Sequence, residues 1–256
     1  MSNLSVTLMA LSGIPLIEPG DDLAALLATA VRANGTELRD GDVLVVAQKI
    51  VSKAEGRYVE LERITPSSRA IELAGSLKKD PRLVEVILRE SRDVVRYREG
   101  LLIVEHRLGF VMANAGVDQS NIAPFAHGER VLLLPEDPDR SCTTLKQRLD
   151  AEFGVNLAVV MNDSFGRPWR NGVVGVAIGA AGLPCLVNLV GAPDLFGRAL
   201  RVTEVALADE IAAAASMVMG QAAEARPAVH MRGIVVQGAP GRAADLVRPK
   251  AKDLFR

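Results

Sequence analysis

The chain has few of the residues on which soft-metal and thiol chemistry depend: two cysteines and three histidines in 256 residues. Cys142 and Cys185 stand far apart and form no CxxC pattern, so they are expected as unpaired packing thiols in a reducing compartment. His106, His127 and His230 are too scattered for HxH or HExxH spacing, which argues against a zinc hydrolase. No GxSxG elbow is present, no GxGxxG follows a strand, and no GxxxxGK[ST] occurs, so any nucleotide must be held without a Rossmann or P-loop cradle. An excess of one charge is missing too. Lys and Arg total 30 against 31 Asp and Glu, which leaves no basic field to hold nucleic acid or anionic lipid and makes small ligands the expected partners. Residues 1–5 lack a basic region leading into an apolar run, so no signal peptide is expected and the expected location is the cytoplasm. The uncharged stretch 173–187 is interrupted by Gly175, Gly179, Gly182 and Pro184 and is shorter than the ~20 residues a bilayer span needs. It reads as two buried strands around a turn.

What is present is a globular composition, 49% hydrophobic and 24% charged, long enough for one large domain or two small packed ones. Gly20, Asp21 and Asp22 cap a helix with Leu23, Leu26, Leu27, Ala30 and Val31 at helical spacing, stopped by Asn34 and Gly35. Residues 42–47 read as a buried strand leading into residues 48–53. Pro66 and Ser67 open a helix, and Asp80 and Pro81 open another. Residues 101–105 and 109–113 read as a hairpin, Ser141 as the cap of a helix ended by Gly154, and 157–161 as a strand. Residues 202–219 read as an Ala-rich helix ended by Gly220, and 227–236 as a closing strand. Hairpins mixed with helices favour an α+β fold over a regular doubly wound sheet.

Chemistry concentrates in Asn162-Asp163-Ser164-Phe165-Gly166-Arg167-Pro168-Trp169-Arg170, read as a loop at the end of the 157–161 strand. Asp163 and Ser164 suit a hard cation, and Arg167 and Arg170 suit phosphate or carboxylate oxygens. An N-capping Asp-Ser with two solvated arginines is the other reading. Asp118 lies in a comparable turn-rich segment, residues 114–121. Two carboxylates without a cation repel by about 4 kcal/mol at ~4 Å and an effective dielectric near 20, which a Mg2+ or Mn2+ ion would relieve. Separate turn-forming aspartates remain the alternative.

The chain resembles the coenzyme F420-0:L-glutamate ligase family over residues 13–233. The resemblance is carried by Gly13-Ile14-Pro15-Leu16-Ile17 with Gly20-Asp21-Asp22-Leu23, and by residues 41–46 leading to Val51-Ser52-Lys53-Ala54-Glu55-Gly56-Arg57. It continues in Ala113-Asn114-Ala115-Gly116-Val117-Asp118 with Ser120-Asn121, and in residues 132–135 with Asp137-Pro138-Asp139. Asp163-Ser164-Phe165-Gly166-Arg167 with Arg170, and Ala208-Asp209-Glu210-Ile211-Ala212 with Met219-Gly220, complete it. Each block alone is weak, and the blocks in this order make the resemblance specific.

The resemblance implies a family-specific α+β fold in one ligase module over residues 1–256, with two packed subdomains as a variant, and an intertwined homodimer. No reductase domain like that fused to some bacterial relatives is expected after Arg256. It also implies GTP, Mg2+ or Mn2+, with K+ as a further candidate ion, and coenzyme F420-0 and L-glutamate as substrates. Ile14, Pro15, Leu16, Ile17, Gln48, Lys49, Lys53, Asn121 and the loop Met219, Gly220, Gln221, Ala222, Ala223, Glu224, Ala225 and Arg226 match GTP-binding positions. Asp118, Asp163 and Ser164 match metal positions. The implied route phosphorylates the lactyl carboxylate and lets the glutamate amine displace phosphate, with Lys53 assisting phosphoryl transfer. From their own chemistry rather than from the resemblance, Arg167 and Arg170 are expected to clamp the substrate's phosphodiester or the incoming glutamate carboxylates. The family often places Glu after Met-Gly as a ligand to a second metal; here it is Gln221, with Glu224 as a possible substitute. A ligase of the same mechanism on another carboxylate, and a catalytically silent nucleotide-binding homologue, are the alternative expectations.

Overall fold

Apolar runs flanked by turn residues build the sheets of the computed structural model, which describes residues 4–122, 128–235 and 238–254. His127 and Val236, named above, lie outside the described residues. The first half contains β1 (Thr7–Ala10), α1 (Leu23–Ala33), β2 (Val43–Ala47), α2 (Gln48–Ala54), β3 (Tyr58–Glu60), α3 (Ser68–Leu77) and α4 (Pro81–Arg89). Then come β4 (Ser91–Arg98), β5 (Leu101–His106), β6 (Val111–Ala113), β7 (Arg130–Leu132), α5 (Pro138–Phe153), β8 (Ala158–Arg167) and β9 (Arg170–Ala181). The chain continues through β10 (Val187–Asn188), β11 (Glu204–Val205), α6 (Leu207–Met219) and β12 (Ala228–Arg232).

The main sheet has the order β1-β12-β2-β8-β9 and is mixed, because β2 and β8 run parallel while the other neighbours are antiparallel. Smaller sheets pair β4-β5-β6, β3-β7 and β10-β11. The expected mixture of helices and hairpins is therefore present. β2 is central and buried on both faces, which explains its uninterrupted apolar run. On one face Leu44, Val46, Val159 and Met161 pack against Leu27 and Val31 of α1 and Leu145 and Leu149 of α5. On the other, Val45, Val160 and Val229 pack against Ile211 and Ala215 of α6. Among the described residues no helix is long and apolar enough to cross a membrane.

Several expected boundaries move. α5 is capped by Asp137, whose Oδ1 accepts from Arg140 N at 3.0 Å, and starts at Pro138. Ser141 instead donates to Asp137 O at 3.1 Å and to Glu55 from inside the helix. α6 starts at Leu207, because Thr203 O accepts from Leu189 N and Glu204–Val205 pairs with β10, which commits residues before the helix to an extended arm. The closing strand is shorter than expected, Ala228–Arg232. The expected pair of strands over 173–187 is one long strand, β9, then a turn and the short β10. β4 was not legible: its charged sequence pairs with β5 through two register shifts, which scramble the period-2 pattern.

The largest change concerns residues 162–167. They are not a loop but the outer half of β8, paired with β9 as far as Arg167↔Arg170, and the turn is residues 168–169, with Trp169 at φ 62°. The apolar run ends at Met161 because the strand leaves the core there, while β9 still supplies ladder partners.

Candidate active site

Successive residues of a strand face opposite sides of the sheet, so β8 presents two different groups where it leaves the core. Met161 and Phe165 belong to the α1/α5 face, which puts Asp163 between them on that side, toward α2. Ser164 points the other way and donates from Oγ to Gln221 Oε1 at 2.8 Å, just beyond α6.

On the Asp163 side stand Asp118 and two lysines of α2. Lys49 and Lys53 are one helical turn apart and both reach the segment 118–121. Lys49 Nζ lies 2.7 Å from Asp118 Oδ2 and donates to Ser120 Oγ at 2.7 Å. Ser120 N donates to Asp118 Oδ1 at 2.6 Å. Lys53 Nζ donates to the carbonyl of Asn121 at 2.7 Å, and Asn121 holds φ 54°. Burial pushes the Asp163 carboxyl up to about 6; the Ser164 N–H bond opposes the rise, the charge of Asp118 adds to it, and Lys49 moderates it. Burial acts in the same direction on Asp118, but hydrogen bonds from Lys49 and Ser120 outweigh it and hold that carboxyl below its usual range. Burial, then the charge of Lys49, depresses Lys53, which also feels Glu18. The two aspartates and Lys49 thus form one electrostatic unit.

The loop after α6 closes the other side. Gly220 turns the chain at φ 78°, and a Cβ there would meet Glu224 Cδ at 2.3 Å. Gln221 Nε2 donates to Ser216 Oγ at 2.7 Å, which fixes its Oε1 toward Ser164. Glu224 folds back, accepting from Ala222 N at 2.8 Å. Asn121 Nδ2 donates to Ala222 O at 3.3 Å and ties this loop to the Asp118 segment. The structure thus brings together Lys49, Lys53, Asp118, Asn121, Asp163, Ser164, Gln221 and Ala222. Ile17 is buried and Leu16 is 84% exposed in the segment leading to α1, whose Glu18 charge reaches Lys53. The Gln48 side chain is turned inward, donating from Nε2 to Ser52 Oγ at 2.6 Å, and the residue as a whole is buried.

Arg167 and Arg170 are farther out. Arg167 is about 13 Å beyond Asp163 at the rise of a strand, and its Nη2 donates to Asn171 O at 3.4 Å. Among the described residues neither arginine is hydrogen-bonded to Asp118, Asp163, Ser164 or Gln221. Sequence reading missed the polar groups on the opposite side of β8 from Asp163. Asn162 is buried, its Nδ2 lies 3.5 Å from Met219 Sδ, and its Oδ1 is unpartnered in the described structure. Ser216 orients Gln221, and nothing in its helical, Ala-rich context signals that role.

Among the described residues no three His, Cys, Asp or Glu side chains gather around one point. A cation here must therefore complete its shell with oxygens other than a third protein carboxylate. Asp118, Asp163, Ser164 and Gln221 offer only hard oxygen donors, which fits Mg2+ or Mn2+ sharing phosphate and water ligands and does not fit a soft-metal centre.

Carboxylates facing lysines beside a glycine-turned loop have the donor chemistry that hard cations and phosphate oxygens take. Residues 13–233 match the family described as F420-0:Gamma-glutamyl ligase. The chain is 45% identical to the coenzyme F420:L-glutamate ligase of Methanothermobacter thermautotrophicus over 255 residues, 99% of this chain and 100% of the relative. It is 48% identical to that of Methanopyrus kandleri over 244 residues, 94% and 93% of the two chains, and 43% identical to that of Methanocaldococcus jannaschii over 219 residues, 86% of each. The chain belongs to the F420-0:gamma-glutamyl ligase family.

Proposed function

We propose that this chain joins L-glutamate to coenzyme F420-0 through an amide bond, using GTP to activate the lactyl carboxylate. The observation that carries the activity is the 45% identity to a coenzyme F420:L-glutamate ligase over 99% of this chain and 100% of the relative. GTP, the acyl phosphate and the addition of further γ-linked glutamates are inferred from the family resemblance and from the fit of the site to that chemistry.

A carboxylate is a poor acyl donor. In the proposed reaction its oxygen attacks the γ-phosphorus of GTP and GDP leaves. The glutamate amine then attacks the acyl carbon, inorganic phosphate departs with the C–O electron pair, and the amine loses a proton to water. Phosphoryl transfer needs positioning and charge neutralisation above all. Lys49 and Lys53, on one face of α2, supply positive charge where phosphate oxygens would lie. A divalent ion held by Asp118 and Asp163 would add charge neutralisation, and Ser164 with Gln221 offers oxygens for a second, weaker ion. The loop 219–226 is tied to the Asp118 segment by Asn121 Nδ2, which donates to Ala222 O, and so borders the place where the phosphates would lie. Arg167 and Arg170, on the hairpin tip, are assigned to outlying anions of the substrates.

The homodimer is part of the same proposal. The arm from β10 to β11 exposes Leu195 at 98% and Phe196 at 82%, and Trp169 on the β8–β9 tip is 88% exposed, apolar side chains that a second copy would cover. Sedimentation should return a dimer. The activity test is GDP release requiring F420-0 and glutamate together, with a product one glutamate heavier. Release that needs a different acceptor would assign another carboxylate substrate, and no release with any acceptor would leave a silent homologue.

A further inference from the structure

We propose that Lys49 is an exchangeable counter-ion: it holds Asp118 until a nucleotide phosphate takes it over, so divalent-cation binding at Asp118 is conditional on nucleotide. The inference rests on the reading of Asp118 as a metal ligand.

Both carboxylate oxygens of Asp118 are engaged, Oδ1 by Ser120 N at 2.6 Å and Oδ2 by Lys49 Nζ at 2.7 Å. A cation approaching Oδ2 meets an ammonium already there. The pair is only 28% exposed on each side, so solvent screens the conflict incompletely. Charge counting points the same way. Asp118, Asp163 and Glu18 bring at most three negative charges, and Lys49, Lys53 and Arg130 bring three positive ones, so the locus is balanced before a metal arrives. A divalent ion alone would leave it strongly positive, and repulsion grows with the product of the charges. A triphosphate reverses that balance. Its oxygens offer Lys49 an alternative partner, and the four-carbon lysine stem lets the ammonium move from Oδ2 to a phosphate without moving the helix. Asp118 then turns its freed oxygen to the metal.

Lys53 cannot play this part. It donates to a neutral carbonyl, Asn121 O, so removing it frees no carboxylate. The coupling must be reciprocal: whatever factor nucleotide adds to metal affinity, metal adds to nucleotide affinity.

The test is Mn2+ binding to the full-length protein, followed by the electron paramagnetic resonance of free Mn2+, with and without a non-hydrolysable GTP analogue. In the wild type, Mn2+ should bind about tenfold or more tightly when the analogue is present. Lys49→Met should tighten Mn2+ binding without nucleotide by about tenfold or more and shrink the coupling, whereas Lys49→Arg, which keeps the charge, should behave as wild type. Lys53→Met should weaken the analogue without tightening Mn2+. Unchanged or weaker Mn2+ binding in a folded Lys49→Met protein overturns the inference. So does a wild type that binds Mn2+ equally with and without analogue, a measurement that needs no variant. Asp118→Asn separates the two levels. If it binds Mn2+ with the analogue as tightly as wild type, the reading of Asp118 itself fails; if it loses Mn2+ while Lys49→Met shows no gain, only the exchange fails.

Discussion

Gln221 and Glu224 belong to one loop but face opposite duties. Gln221 is held by Ser216 so that its amide oxygen reaches Ser164, while Glu224 spends its carboxylate on the N–H of Ala222 in its own turn. Gln221→Glu therefore puts a negative ligand where a neutral one stands, and should tighten the metal requirement by about one to two orders of magnitude, at roughly 1.4 kcal/mol per tenfold. Glu224→Gln should change it little. Mn2+ titrations of GDP formation check both, and a shift confined to Glu224→Gln would reverse the assignment. Asp163 carries a second residue-level prediction. Its carboxyl is raised to about 6 by burial, so at neutral pH the folded protein holds a charge it would sooner neutralise. The sign follows: with the carboxyl raised from 3.8 to about 6, stability falls as pH rises from 3.8 to about 6 and the full cost is present above that. Asp163→Asn removes that cost and should raise the melting temperature at pH 7 while abolishing turnover, the opposition expected of a functional carboxylate. A lower melting temperature would show that Asp163 is a structural anchor. Asp118→Asn combined with Asp163→Asn should lose little more activity than either alone, since one emptied metal site cannot be emptied twice.

At the scale of the element, β9 decides how the site is aimed. Met161 pairs with Gly179 but Asn162 with Ala177, so Ile178 is an extra residue, and Ile178 and Gly179 both face the α1/α5 side. The bulge lets glycines four positions apart serve opposite helices: a Cβ on Gly175 would meet Ala212 O of α6 at 2.5 Å, and one on Gly179 would meet Pro138 O of α5 at 2.5 Å. Asp209 of α6 holds the irregular strand by accepting from Ala177 N at 2.9 Å. Asp209→Ala leaves that N–H without its acceptor and should destabilise by about 1–3 kcal/mol, with Asp209→Asn milder because an amide oxygen can still accept. Urea melts of both variants measure the difference, and equal losses would mean the bond contributes nothing. Gly175→Ala should cost about 1–3 kcal/mol through displaced α6 or Asn162. These points also mark where sequence reading reaches its limit. The caps at Asp22, Ser67 and Asp80 and the run of β2 were legible because they are local. The pairing of Asp118 with Asp163 could be suspected from two carboxylates after apolar strands. The strand nature of residues 162–167 could not, since it depends on β9 lying opposite, and neither could the Lys49–Asp118 pair, which joins distant segments.

Across the whole molecule, the apolar interior is divided. The two faces of the main sheet carry one cluster each, and α3, α4 and β5 enclose another around Leu77, Ile87 and Leu102. Between that layer and the α2 side of the main sheet, beside the small apolar cluster of Leu61, Val86, Val131 and Leu133, runs a seam of polar contacts centred on Glu90, at the end of α4. Arg107 Nε donates to Glu90 Oε2 at 3.0 Å, Arg57 Nη2 lies 3.6 Å away, and His106 Nε2 lies 3.6 Å away with its Nδ1 accepting from Leu108 N. Arg57 also donates to Leu134 O at 2.9 Å, which carries the connection into the main core. Burial raises the Glu90 carboxyl, but the adjacent His106 ring nitrogen, the Arg107 hydrogen bond and the charges of Arg107 and Arg57 outweigh it and bring it down from 4.5 to about 2. A carboxylate lowered in the folded state stabilises the fold fully above its unfolded value, and that contribution is lost as pH falls from 4.5 to about 2. The shift corresponds to something on the order of 3 kcal/mol. Glu90→Gln should therefore be less stable than wild type at pH 7, with the two stabilities converging as pH falls toward 2. Hydrogen exchange across the same range should show α3, α4 and β4–β6 opening before the main sheet in the wild type, because the seam weakens while both cores stay apolar. A pH-independent gap between Glu90→Gln and wild type would sink this account: it would mean the residue contributes packing, and that the two layers are joined by something other than its charge.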